Sequence, residues 1–240
     1  MHSTGRSGED VKREIVAVTG AGSGLGACIA KEFSAAGAIV VLLGRTEEKL
    51  AEIAAELPGE SVRYLLDVSN KAQVDAVFAR VYKEVGQIDR LVNCAGVGKY
   101  DLAENIGQED VDAMIDINLK GTIYATQAVL PKMREADAGY IINVISMSGV
   151  RATPTESVYC ASKFGVDGFS KALMIELEKT RVRVSNFYMG NMATALWKGS
   201  RADEMATFIR PEDVAHIIFE STQIRENLVV EEVRMKNFVR

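Results

Sequence analysis

At 240 residues the chain is long enough for a single α/β domain to bury a sizeable core without disulfide or metal staples. Its 48% hydrophobic and 25% charged residues exclude a disordered chain, and 28 basic against 33 acidic side chains, a net charge of -5, argue against a nucleic-acid binder, whose phosphate affinity needs clustered Lys and Arg. No apolar run reaches the roughly 18 residues of a membrane helix, so neither a nucleic acid nor a membrane is an expected partner.

Residues 1–11 are polar, lack the apolar stretch of a secretory signal, and read as a loose tail ahead of one domain over 12–240. Short runs rich in Val, Ile and Leu then alternate with longer helical patterns. Strands are predicted at 14–19, 38–43, 62–67, 88–93, 140–146, 182–188 and 228–235, most of them near-continuously apolar, as strands covered on both faces are. Between them the spacing predicts helices over 25–36, 47–57, 71–85, 109–134, 157–179 and 211–221, the last opening on Pro211. Strand then helix, repeated and closed by a strand, predicts an α/β fold: one doubly wound, parallel, seven-stranded sheet with helices on both faces, a Rossmann fold in a single domain. Cys28, Cys94 and Cys160 are too widely spaced for a metal site or a disulfide framework and suit a reducing, cytoplasmic setting. His2 lies in the tail and His216 on the last helix, so no metal is expected.

The loop from Thr19 through Gly20, Gly22, Ser23, Gly24 and Leu25 to Gly26 follows the first strand and opens the first helix. A dinucleotide pyrophosphate rests on free backbone N–H groups and a helix dipole at such a place, although the G-x-x-x-G-x-G spacing is not the G-x-G-x-x-G fingerprint, and a plain strand-to-helix turn is the alternative. The second strand ends Leu43-Gly44-Arg45, with no carboxylate to take the adenosine ribose and a guanidinium suited to a 2′-phosphate. This reads as NADP(H); a solvated strand-end arginine is the other reading.

Tyr159 and Lys163 stand four apart in a helical pattern, on one face. An ammonium within about 4–6 Å of a phenol favours the phenolate and brings its pKa toward the working pH, which makes a general acid and base, although most Y-x-x-x-K pairs are exposed helix pairs. Ser146 falls at the end of the fifth strand, on the sheet edge where doubly wound folds bind ligands, where it either hydrogen-bonds a substrate carbonyl or caps a turn with Ser148 and Gly149.

With these residues in place the chain resembles the short-chain dehydrogenase/reductases over about 12–235. The family's T-G-x-x-x-G-x-G is Thr19 to Gly26, and its N-N-A-G is Asn93-Cys94-Ala95-Gly96, with Cys for the second Asn. Its adenine-contacting pair is Asp67-Val68, and its active-site asparagine is Asn118. Ser146, Tyr159 and Lys163 complete its catalytic tetrad with Asn118.

The resemblance implies hydride transfer between nicotinamide C4 and a carbonyl or alcohol carbon. Tyr159 then donates the proton, Ser146 orients the oxygen, Lys163 lowers the Tyr159 pKa and holds the nicotinamide ribose, and Asn118 holds a water of a proton relay. Met189-Gly190 stands for the family's Pro-Gly, and Gly190, Met192 and Thr194 follow it toward the nicotinamide, with Thr194 at the carboxamide position. A short lid at about 191–210, carrying Met192, Leu196, Trp197 and Met205, gives with Met147, Met189 and Tyr100 an apolar pocket for a small or medium substrate, or else simply packs on the domain. Cys160 beside Tyr159 reads as packing. The helices at 109–134 and 157–179 are the surfaces through which the family forms dimers and tetramers, so a homodimer or homotetramer is implied.

The leading functional reading is an NADP(H)-dependent carbonyl reductase or alcohol dehydrogenase, with the Val-Glu-Glu-Val pattern in 228–235 resembling a subgroup acting on 3-hydroxy acids and small dicarbonyls. A 3-oxoacyl-carrier-protein reductase and a non-catalytic NADP(H)-sensing protein are the alternatives. An intact Ser146, Tyr159, Lys163 and Asn118 speaks against the sensor, which has no need of a proton donor.

Overall fold

Apolar side chains on both faces of the strands require two covering layers, and the chain supplies both. The computed structural model describes residues 13–194 and 206–238. In it β1 (Ile15–Thr19), β2 (Ile39–Gly44), β3 (Ser61–Leu65), β4 (Arg90–Asn93), β5 (Gly139–Val144), β6 (Val182–Met189) and β7 (Glu232–Met235) form one sheet in the order β3-β2-β1-β4-β5-β6-β7, every neighbouring pair parallel. The helices are α1 (Gly24–Ala35), α2 (Glu47–Glu56), α3 (Lys71–Glu84), α4 (Gln108–Ala113), α5 (Gly121–Ala136), α6 (Ser157–Leu177) and α7 (Pro211–Ser221).

The two-residue period of the strand splits β1 between two cores. Ile15 and Ala17 pack with Phe78 of α3, Val129 of α5 and Leu173 of α6, whereas Val16 and Val18 pack with Phe33 of α1, Leu50 of α2 and Val214 of α7. The order reverses between β1 and β4, so the loops leaving the carboxyl ends of these two strands diverge and open a crevice.

Two predicted elements come out differently. The helix expected over 109–134 is α4 and α5 joined by a seven-residue π-helical turn, Met114–Lys120. Within that turn Asn118 is fully buried and tied to the backbone of Val97. Just beyond it, a Cβ at Gly121 would come within 2.6 Å of a Val68 methyl, so the chain enters α5 in close contact with the loop after β3. Extra residues in a turn leave no trace in an apolar pattern of period 3.6.

The last strand, expected over 228–235, pairs only at Glu232–Met235. Leu228 instead closes a tight bridge with Arg225, and Leu228 and Val229 are exposed. As the outermost strand it has one partner and little area to bury.

Of the lid, residues 191–194 and 206–210 are described. They are zipped together by a Met192–Ile209 bridge and by Asn237, whose Nδ2 donates to Asn191 O and Thr207 O. The tail expected at 1–11, together with Leu196, Trp197 and Met205, lies outside the described residues. Among the described residues no helix is long and apolar enough to cross a membrane.

Candidate active site

The crevice at the β1/β4 switch has a volume of about 330 Å3. The glycine loop forms its floor, anchored by Thr19, whose Oγ1 accepts from the N–H groups of Cys94 and Ala95 at 3.0 and 3.1 Å and donates to Val92 O. Thr19 opened the motif but was not expected as a site residue; it locks the loop to the strand beside it. Two of the loop's glycines have no room for a side chain: a Cβ at Gly26 would stand 2.4 Å from Gly20 O, and one at Gly20, where φ is +68°, would stand 2.8 Å from Ala95 Cα.

Ser23 precedes α1 with extended backbone, its hydroxyl makes no cap hydrogen bond, and no acidic side chain occupies the first turn. The first N–H groups of α1 therefore face the crevice without a protein partner from that cap, as anion binding at a helix N-terminus requires. This donor set fits a dinucleotide pyrophosphate.

At one end of the loop lie Arg45 and Lys49, neither of them in an ion pair among the described residues. Lys49 comes within 3.2 Å of where a Gly22 Cβ would stand. It was not singled out in the sequence; its spacing of four from Arg45 was the available signal. Asp67 and Val68 line the same end, with Asp67 Oδ1 accepting from Ser69 N and Oγ at 3.0 and 2.6 Å.

At the other end the 3-10 turn Met147–Gly149 leaves β5 and α6 returns over it. Ser146, Tyr159 and Lys163 meet there: Ser146 Oγ accepts from Ser148 N at 3.1 Å and acts to lower the pKa of the Tyr159 phenol, and Lys163 Nζ lies 5.9 Å from the Tyr159 ring centre. The expected lowering of the Tyr159 pKa by Lys163 is not found. Burial pushes the phenol well above its ordinary value, and the Ser146 hydrogen bond offsets only part of that. Lys163 is itself only 5% exposed, burial pushes its ammonium down to about 8, and it donates to Val144 O at 3.2 Å.

Several expected site residues stand just behind this surface. Asn118 does not line the crevice; its Oδ1 accepts from Val97 N at 2.8 Å while Nδ2 donates to Val97 O and Ser162 Oγ, which fixes the loop between Gly96 and Lys163. Asn93 points into the core, donating to Thr126 and Asn143, its partner across the sheet. Met147 packs with Ile145, Val166 and Tyr188. Among the remaining expected residues Ala95, Gly96, Met189, Gly190, Met192 and Thr194 do line the crevice. Cys94 lines it too, but burial pushes its thiol up to about 12, which leaves it a packing group. Tyr100, expected in the substrate pocket, lines the crevice, as do Ser148, expected only in the turn after Ser146, and Glu156, which carried no expected role.

Residues 14–205 match the family model described as short chain dehydrogenase. The chain is similar to an uncharacterized oxidoreductase of Staphylococcus aureus, with 34% identity over 224 residues, 93% of this chain and 96% of that protein. Among solved structures it is similar to the closed form of serine dehydrogenase complexed with NADP+, at 34% identity and TM-score 0.87, covering 92% of this chain and 94% of the other. It is also similar to 3-ketoacyl-(acyl-carrier-protein) reductase from Brucella melitensis complexed with NADH, at 28% identity and TM-score 0.85, covering 93% and 96%.

Proposed function

The chain belongs to the short chain dehydrogenase family and is an oxidoreductase of that family, and from this premise we propose that it interconverts a small or medium-sized carbonyl compound and its alcohol with NADP(H). The observation that carries the reading is the meeting of Ser146, Tyr159 and Lys163 in the same crevice as the glycine loop.

NADPH supplies a hydride at its nicotinamide C4. Ser146 Oγ would hold the substrate oxygen and Tyr159 would give that oxygen its phenolic proton, which together with the hydride from the cofactor balances ketone to alcohol. Burial keeps Tyr159 protonated, so the proton is present to be given in this direction. Lys163 would hold the nicotinamide ribose and return a proton toward Tyr159. Asn118 acts from behind, by fixing the Val97 backbone and the helix that carries Lys163.

Gly20, Ser23, Gly24, Leu25 and Gly26 would hold the pyrophosphate, Asp67 and Val68 the adenine, Ala95 and Gly96 the neighbouring ribose, and Gly190, Met192 and Thr194 the carboxamide. The preference for NADP(H) rests on Arg45 and Lys49 at the site of the 2′-phosphate and on Gly44 where a ribose-binding carboxylate would stand. The NADP+ bound by the serine dehydrogenase relative supports it. Exposed Phe164 and Ile175, eleven residues apart on α6, support association of copies through that helix.

The reading is tested by loss of the NADPH absorbance band on adding a panel of ketones and aldehydes; consumption with none of them contradicts it. Arg45→Asp is expected to weaken NADPH binding by about 30- to 100-fold, about 2–3 kcal/mol for a lost charge-assisted pair, while NADH affinity moves only a few-fold. Fluorescence titration reads both, and equal shifts would remove Arg45 as the phosphate reader.

Lys163 gives a pH signature. Binding that uses its charged form is at full strength below about 8 and is lost as pH rises through that value. NADPH affinity of the wild type should fall above about pH 8, whereas Lys163→Met should bind more weakly below that value, show no step there and approach the wild type above it. A wild-type affinity flat from pH 7 to 10 would contradict the role.

A further inference from the structure

A carboxylate that the hydride-transfer reading does not use stands inside the crevice. Glu156 is 9% exposed at the N-terminus of α6, three residues before Tyr159, so the two side chains rise from one helix face. Its Oε2 accepts a 2.5 Å hydrogen bond from Ser148 Oγ, its side chain does not cap its own helix, and among the described residues no Lys or Arg forms an ion pair with it. Its negative charge reaches the reacting end, raising the phenols of both Tyr159 and Tyr100. A nine-tenths buried carboxylate with no counter-cation among the described residues is complemented where a ligand brings the opposite charge.

The wall beside it is suited to the same ligand. Tyr100 packs edge-to-face on Tyr159 with ring centres 5.5 Å apart, and a tyrosine ring face attracts an ammonium.

We propose that Glu156 selects cationic substrates: the crevice takes a small amino ketone, or the corresponding amino alcohol, with its ammonium on the Glu156 carboxylate and its carbonyl oxygen between Ser146 and Tyr159. The inference rests on the carbonyl-reductase reading and narrows it. The same charge repels a substrate carboxylate, so the 3-hydroxy acids suggested by the pattern at 228–235 are disfavoured.

The test compares kcat/KM for 1-amino-2-propanone, 2-butanone and acetoacetate, a cationic, a neutral and an anionic ketone of similar size, in wild type and Glu156→Gln. In the wild type the cation should exceed the neutral ketone by about tenfold or more, with the anion lowest. In Glu156→Gln the cation-to-neutral ratio should collapse toward one. A wild-type ratio at or below one, or a preference that Glu156→Gln leaves unchanged, overturns the inference while turnover of the neutral ketone leaves the carbonyl-reductase reading standing. Turnover of none of the three contradicts that reading and the inference with it. Should Glu156→Gln fail to fold, inhibition of wild-type turnover by propylammonium against 1-propanol reads the same preference, and equal inhibition overturns it.

Discussion

Tyr159→Phe is expected to lower carbonyl turnover by about a thousandfold, the middle of the range for a positioned general acid, while NADPH still binds within a few-fold of wild type. The substitution removes one hydroxyl and keeps the ring, so the edge-to-face packing on Tyr100 and the burial of α6 against Ile145 and Tyr188 survive. What it deletes is the proposed proton donor beside Ser146 at the end of β5. Ser146→Ala removes the hydroxyl beside that phenol, which also accepts from Ser148 N and would hold the substrate oxygen, but it leaves the proton donor in place and should cost less. Steady-state rates with a saturating carbonyl, paired with cofactor titration, separate the two effects. Equal turnover in wild type and Tyr159→Phe would remove Tyr159 from the chemistry.

Gly26→Ala should be the most damaging small change to cofactor binding, weakening NADPH by about a hundredfold or more and costing about 1–3 kcal/mol of stability. The added methyl would stand 2.4 Å from Gly20 O and 2.9 Å from Gly20 C, both backbone atoms of the loop itself, so no side-chain rotation relieves it. The loop has to open, and with it the N–H groups at the start of α1. Gly168→Ala is the matched control: it sits in α6 with nothing within 4 Å of its new Cβ, and should raise stability slightly through helix propensity without moving cofactor affinity. Thermal unfolding and fluorescence titration of both variants check this. Wild-type affinity in Gly26→Ala would show that the loop is not the pyrophosphate cradle.

The sheet was legible in the chain because unbroken apolar strands such as Val40–Leu43 have only one stable environment, between two helical layers. The glycines at 20, 24 and 26 and the Ser146, Tyr159 and Lys163 set were legible for the same kind of reason: backbone approach and proton transfer each tolerate few residue types. Less visible was whatever depends on distance across the fold. Ser148 and Glu156 belong to different elements and meet only because α6 folds back over the turn after β5. The π-helical turn around Asn118 hides inside a pattern that fits an ordinary helix. Asn93 carried a motif's promise of cofactor contact, yet in the sheet it turns inward to Asn143, a pairing set by register between β4 and β5 that no local spacing reveals. Burial also reversed the expected effect at Tyr159, because sequence shows a lysine one turn away but not the water that both groups lose.

The central claim is hydride transfer in the crevice, and isotope transfer tests it most directly. NADPH carrying deuterium on the transferred C4 face is incubated with a ketone that the wild type consumes, and the alcohol is analysed by mass spectrometry. The account predicts one deuterium on the carbinol carbon, formed by the wild type and about a thousandfold more slowly by Tyr159→Phe. NADPH oxidation that yields unlabelled alcohol, or no alcohol, would contradict it.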